Sequence, residues 1–154
     1  YCAANNLLRQ CVDRLSNSYD FVLIDNEAGL EHLSRRTTQD VDLLLIVSDM
    51  SHRGLTTAAR IVELTKELKT RVGRTYLILN RATGEVAPVV KEAADRVGAP
   101  LAGVLPEDPL VAEYDAAGRA LYDLPADSAV YQAVAAIAEA VGLRELQANR
   151  AGRR

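Results

Sequence analysis

Residues Tyr19–Arg36 read YDFVLIDNEAGLEHLSRR. Four apolar residues, Phe21 to Ile24, lead straight into Asp25, and the polar segment Asn26-Glu27-Ala28-Gly29 follows. A continuous apolar run of this length suits a parallel strand covered on both faces, with its carboxylate delivered to the C-terminal end. Three further runs have the same character: Asp42–Val47, Thr75–Asn80 and Leu101–Leu105.

Helical patterns fill the intervals. Asn5–Leu15 places Leu7, Leu8, Cys11, Val12 and Leu15 on one face, so Cys11 is expected to pack in a core. Thr56–Leu68 repeats the pattern with Ala58, Ile61, Val62 and Leu68, and Gly73 is read as the stop signal. Val86–Val97 follows. Pro109–Ala117 carries proline at its first position, and Ser128–Val141 is alanine-rich and closed by Gly142. Strand–helix alternation predicts an α/β fold, with a parallel, mostly buried sheet and helices on both faces. One domain is expected over residues 1–146, with residues 147–154 as a frayed basic tail.

The bulk numbers exclude several classes. The chain has 154 residues, 49% hydrophobic and 25% charged, and a net charge of −3. Its pI near 5.4 argues against binding nucleic acid by charge alone. No apolar run approaches the roughly 18 residues that span a bilayer, and no signal peptide is evident, so the expected compartment is the cytoplasm. Two cysteines are too few for a disulfide scaffold. The chain starts at Tyr1 and has no methionine before Met50, which suggests a fragment or a processed chain.

In an open parallel sheet, ligands bind outside the C-terminal strand ends. The informative residues are therefore Asp25–Gly29, Ser48–Gly54, Asn80-Arg81 and Pro106-Glu107-Asp108. Asp25 reads either as a Mg²⁺ ligand of the kind an NTPase places at a strand end, or as the cap of the next turn. Gly29, without a side chain, can bring its backbone N–H close to an anion, or can simply form a turn. Asn80 offers a donor and an acceptor side by side, or serves as a turn residue.

The segment VLIDNEAGLEHLSRR resembles the Walker-B and switch II region of the deviant-Walker-A P-loop ATPases, the MinD/ParA group that includes the nitrogenase iron protein. Glu31-His32-Leu33-Ser34-Arg35 resembles the CooC branch, accessory ATPases that insert nickel into carbon monoxide dehydrogenase. DMSHRGLTTAARIVELTKEL (residues 49–68) and Leu79-Asn80-Arg81 look like the same branch, and the resemblance extends to about Gly142. It implies ATP and Mg²⁺ as ligands. Asp25 would be the Walker-B Mg²⁺ ligand and Gly29 the glycine near the γ-phosphate. Asn80, with Arg81 beside it, would bond adenine, and Pro106, Glu107 and Asp108 would cover the base. Glu31, His32, Arg35 and Arg36 would lie on a helix that moves when the γ-phosphate contact is lost.

One part of the pattern is absent from residues 1–154: no G-x-x-x-x-G-K-[ST] loop, nor a deviant form with its lysine, occurs. Family organisation and the length of βαβ units place about 100 residues, with the P-loop, ahead of Tyr1. Without them the chain is expected to be inactive alone and to expose an apolar edge. CAANNLLR (Cys2–Arg9) resembles the stretch at the Cys-x-Cys of the CooC branch, where cysteines of two subunits bind metal. Cys2 is then a candidate ligand for Zn²⁺ or Ni²⁺ across a homodimer, though one cysteine per chain is too few for a closed site. The second expectation is a non-hydrolysing nucleotide- or partner-binding module of the same fold. A phosphoacceptor signalling domain fits the fold but lacks the strand-end lysine.

Overall fold

The computed structural model describes residues 7, 10–11, 14–15, 18–26, 40–67, 71–83, 94–95 and 97–143. Its centre is a three-stranded parallel sheet of β1 (Asp40–Ser48), β2 (Arg71–Ala82) and β3 (Leu101–Pro106), in that spatial order. These are three of the four expected strands, β1 and β2 extended by a few residues and β3 by one. Helices α1 (His52–Glu67), α2 (Pro109–Ala116) and α3 (Ala129–Ala140) complete the frame, with a 3₁₀ turn at Leu121–Asp123.

Two successive crossovers stepping the same way across a sheet place their helices on the same face. The core follows that rule. Leu55, Ala58 and Val62 of α1 and Ala94 and Ala99 of the second crossover pack with Ile46, Leu77 and Leu79. On the other face, Ile137 and Val141 of α3 and its end pack on Ile78, with Leu43, Tyr76 and Leu105 at the border. Strand alternation is what sends Leu77 and Leu79 to one face and Ile78 to the other. The α/β fold with helices on both faces is therefore present.

Three expectations are corrected. Phe21–Asp25 forms no strand: its residues carry no ladder, and Phe21 to Ile24 are all exposed, Leu23 at 91%. Apolar character sustains a strand only where a neighbouring backbone accepts its hydrogen bonds, and none of the described strands does. Cys11 is exposed rather than buried, and Leu7 and Leu15, expected on the same face, are exposed with it. Gly73 stops no helix; it lies inside β2, where a β-carbon would stand 2.6 Å from the carbonyl oxygen of Asp42 on β1. The expected helix at Val86–Val97 falls mostly outside the described residues, and its described residues Ala94, Asp95 and Val97 are helical.

Candidate functional site

All three strands deliver their C-terminal ends to one edge of the sheet. At the end of β1, Asp49 Oδ1 accepts from the backbone N–H of Ser51 at 3.0 Å and from its hydroxyl at 2.6 Å. Ser51 Oγ in turn accepts from the N–H of Gly54 at 3.0 Å, the N-cap bond of α1. The Ser51 hydroxyl, then its N–H, and to a lesser extent the positive charge of Arg81, hold the Asp49 carboxyl below its usual value. Gly54 is required by this packing: a β-carbon there would collide with Asp49 Oδ1 and stand 2.6 Å from Ser48 Oγ. A cleft of 330 Å³ opens here, with Ser48, Asp49, Ser51, Arg53 and Thr57 in its wall.

At the end of β2, Asn80 Oδ1 accepts from the backbone N–H of Arg81 at 2.9 Å. Arg81 itself has φ of 53°, the left-handed region that side chains rarely adopt. This bulge shifts the β2–β3 register between Leu79 and Ala82, and the ladder resumes at Ala82. The bulge leaves the amide NH₂ of Asn80 and the second lone pair of its oxygen as the groups a base edge could use.

The end of β3 is tied to the end of β2. Ala82 pairs with Pro106, and the N–H of Glu107 donates to the carbonyl of Ala82 at 3.1 Å. Asn80-Arg81 and Pro106-Glu107 are thus neighbours, as a site shared by two strand ends requires. Asp108 is buried and serves as N-cap of α2, with Oδ1 accepting from the N–H of Leu110 at 3.0 Å. Its Oδ2 accepts from the N–H of Val130, in the first turn of α3, at 3.3 Å. This second bond spans 22 residues and had no signature in the sequence. The cap pattern Asp-Met-Ser at residues 49–51 was local, and so could have been read.

Asp25 is exposed, and the side-chain amide of the next residue, Asn26, donates to the Ile24 carbonyl at 3.4 Å. Its oxygen chemistry suits Mg²⁺, which takes one or two carboxylates and fills its remaining positions with phosphate and water. Gly29, Glu31, His32, Arg35, Arg36 and Cys2 lie outside the described residues. Among the described residues, no group of three or more His, Cys, Asp or Glu is placed to hold a metal, and no helix is long and apolar enough to cross a membrane.

No family model matches the chain. It is 45% identical over 141 residues to an uncharacterized ATP-binding protein of Methanocaldococcus jannaschii, covering 92% of this chain and 56% of that protein. It is 36% identical over 149 residues to the carbon monoxide dehydrogenase accessory protein CooC of Rhodospirillum rubrum, covering 92% and 54%. Among solved structures it resembles the septum site-determining protein MinD of Pyrococcus horikoshii, complexed with Mg-ADP. There the TM-score is 0.71 and the identity 26%, over 91% of this chain and 58% of that one. The chain therefore spans just over half the length of the relatives it matches.

Proposed function

The chain is a homologue of the MinD/ParA-family P-loop ATPases, and from that premise we propose that it forms the adenine-binding and Mg²⁺-binding part of an ATP-hydrolysing protein. The observation that carries this reading is the hydrogen bond from Glu107 to Ala82, which brings Asn80-Arg81 and Pro106-Glu107 to one place. Asn80 supplies the amide for the base, and Pro106-Glu107 forms the wall over it. Asp25 holds Mg²⁺, the ion that neutralises charge on the phosphates when it is bound. Gly29 lends a backbone N–H near the γ-phosphate. The phosphate-gripping loop comes from a segment preceding Tyr1 in the complete protein, so the 154-residue chain alone turns over no ATP. ATP and ADP are its nucleotide partners.

The experiment is ATP turnover by the complete protein and by its Asp25→Asn variant. The expected loss is about a hundredfold or more, the scale of a lost metal contact. Equal, near-zero rates in both would instead favour a nucleotide- or partner-binding module that does not hydrolyse.

A narrower form of the reading is nickel insertion into a metalloenzyme such as carbon monoxide dehydrogenase. It is supported by the 36% identity to CooC and by the Glu31-His32-Leu33-Ser34-Arg35 segment. In this form Cys2 contributes a thiolate to a Zn²⁺ or Ni²⁺ site between two copies. Metal content of the complete protein, with and without Cys2→Ser, decides it: equal metal in both removes the metal role.

A further inference from the structure

We propose that Asp108 is the positioning residue of the adenine-binding end, using one carboxylate to cap two helices and so holding Pro106-Glu107 against the Asn80-Arg81 turn. The proposal rests on the adenine-nucleotide reading above and changes the role that the sequence resemblance gave this residue. As a ligand for the base, Asp108 would need its oxygens free to meet a base edge. Instead it is only 9% exposed, and each oxygen already accepts from a backbone N–H.

The two donors occupy equivalent places. Pro109 and Leu110 are the first and second residues of α2, and Ala129 and Val130 are the first and second of α3. The second-residue N–H of each helix would be an orphan donor without Asp108. The α3 start is shared between two acceptors, since the local cap Ser128 takes the N–H of Tyr131 at 3.1 Å. The Asp108 arm connects that start to the end of β3. A negative charge where two helix N-termini converge also has a favourable field from both.

The segment 106–108 is consequently held from two sides. On one side β2 grips it through Ala82; on the other α3 grips it through Val130. Cutting the Val130 arm leaves α2 capped and β2 paired but frees the loop from α3. Base recognition depends on sub-ångström placement of these strand ends, so it should suffer. Groups that grip phosphate lie elsewhere and should not.

The test uses the complete protein with ADP, GDP and pyrophosphate as probes, measured by calorimetry, and amide exchange at Leu110 and Val130. Asp108→Ser keeps a local N-cap for α2 but is too short to reach Val130. It is expected to keep protection at Leu110, lose it at Val130, and lower the preference for ADP over GDP about tenfold, with pyrophosphate affinity unchanged. Ser128→Ala weakens the same helix start and should lower the melting temperature while leaving base preference intact. Unchanged exchange at Val130 in Asp108→Ser, or unchanged base preference, overturns the proposal. So does an equal shift of preference in Ser128→Ala, which would mark the effect as mere loss of stability. Should Asp108→Ser not fold, Asp108→Asn, with one acceptor oxygen for two donors, carries the same expectations. Wild-type protein that binds neither nucleotide defeats the adenine reading and the positioning role together, while Val130 exchange still decides the capping on its own.

Discussion

Ile137 of α3 occupies the space where a β-carbon on Gly103 of β3 would stand: Ile137 Cγ1 would collide with it, and Cδ1 would lie 2.9 Å away. The missing side chain lets α3 settle directly onto the strand. Ile137 and Val141 are then buried against Ile78, and the first turn of α3 comes within reach of Asp108. Core packing and the strand-end loop are thereby linked through one glycine.

Gly103→Ala should therefore destabilise the chain by about 1–3 kcal/mol, the cost of overpacking a filled core. Ile137→Ala should cost less in the Gly103→Ala background than in wild type, because it removes the Cγ1 atom that the new β-carbon meets. Urea denaturation of the single and double variants checks this. Strictly additive effects would mean the two positions do not share the space.

The start of α1 should show a specific acid sensitivity. Asp49 has a native value lowered from the usual 3.8 by the Ser51 hydroxyl and N–H. A depressed carboxyl contributes stability that is fully present above the unfolded value and disappears as pH falls through the native one. Wild type should thus exceed Asp49→Asn in melting temperature at neutral pH by a constant margin, and the margin should close below 3.8. Asp49 is exposed, so the margin is small. A gap that persists undiminished in acid would exclude ionisation as its source.

Legibility in the sequence divided by range. β1, β2 and β3 could be read because each apolar run carries its own burial requirement, and α2 and α3 because Pro109 and Ser128 mark their starts within one turn. Phe21–Asp25 had the same composition but failed as a strand, since pairing is a property of neighbours and the run brings none. Gly73 was misread for a related reason: a glycine after a helical stretch signals a C-cap, and only the approach of Asp42 from β1 reveals its place in a strand. Within the candidate site, Asn80, Arg81, Pro106 and Glu107 were identified as strand-end residues, and the structure brings them together. Asp108 was identified too, but its bond to Val130 lies 22 residues away and leaves no local mark.

The outer edge of β1 carries a third prediction. Leu45 and Val47 point to the face that α3 does not cover at this strand, and are 38% and 56% exposed. With no strand paired beyond β1 among the described residues, edge and face together favour association. The 154-residue chain should sediment as oligomers, and Leu45→Lys with Val47→Lys should shift it toward monomer without loss of melting temperature. In the complete protein the same pair should be destabilising if a preceding segment covers this face. A complete protein indifferent to both lysines would show that the face stays open.

Arg81 supplies the last test, because its backbone is in a region that costs a side chain about 1–2 kcal/mol. Replacing it with glycine removes that cost but adds chain entropy to the unfolded state, about 0.4–1 kcal/mol in the other direction. The net for Arg81→Gly is a gain of about 0.5 kcal/mol. Arg81→Asn should gain slightly, since asparagine tolerates this region better than arginine, and Arg81→Val should be clearly destabilising because a branched β-carbon tolerates it worst. The expected order of melting temperature is therefore glycine, then asparagine, then arginine, then valine. Nucleotide affinity of the complete protein should not follow that order: Arg81→Gly loosens the turn that fixes the Asn80 amide, and should weaken ADP binding while raising stability. Strain kept beside the proposed base-binding amide, against the interest of stability, is what a functional site predicts. A glycine variant that is both more stable and equally good at binding ADP would leave the Arg81 turn without a functional reason.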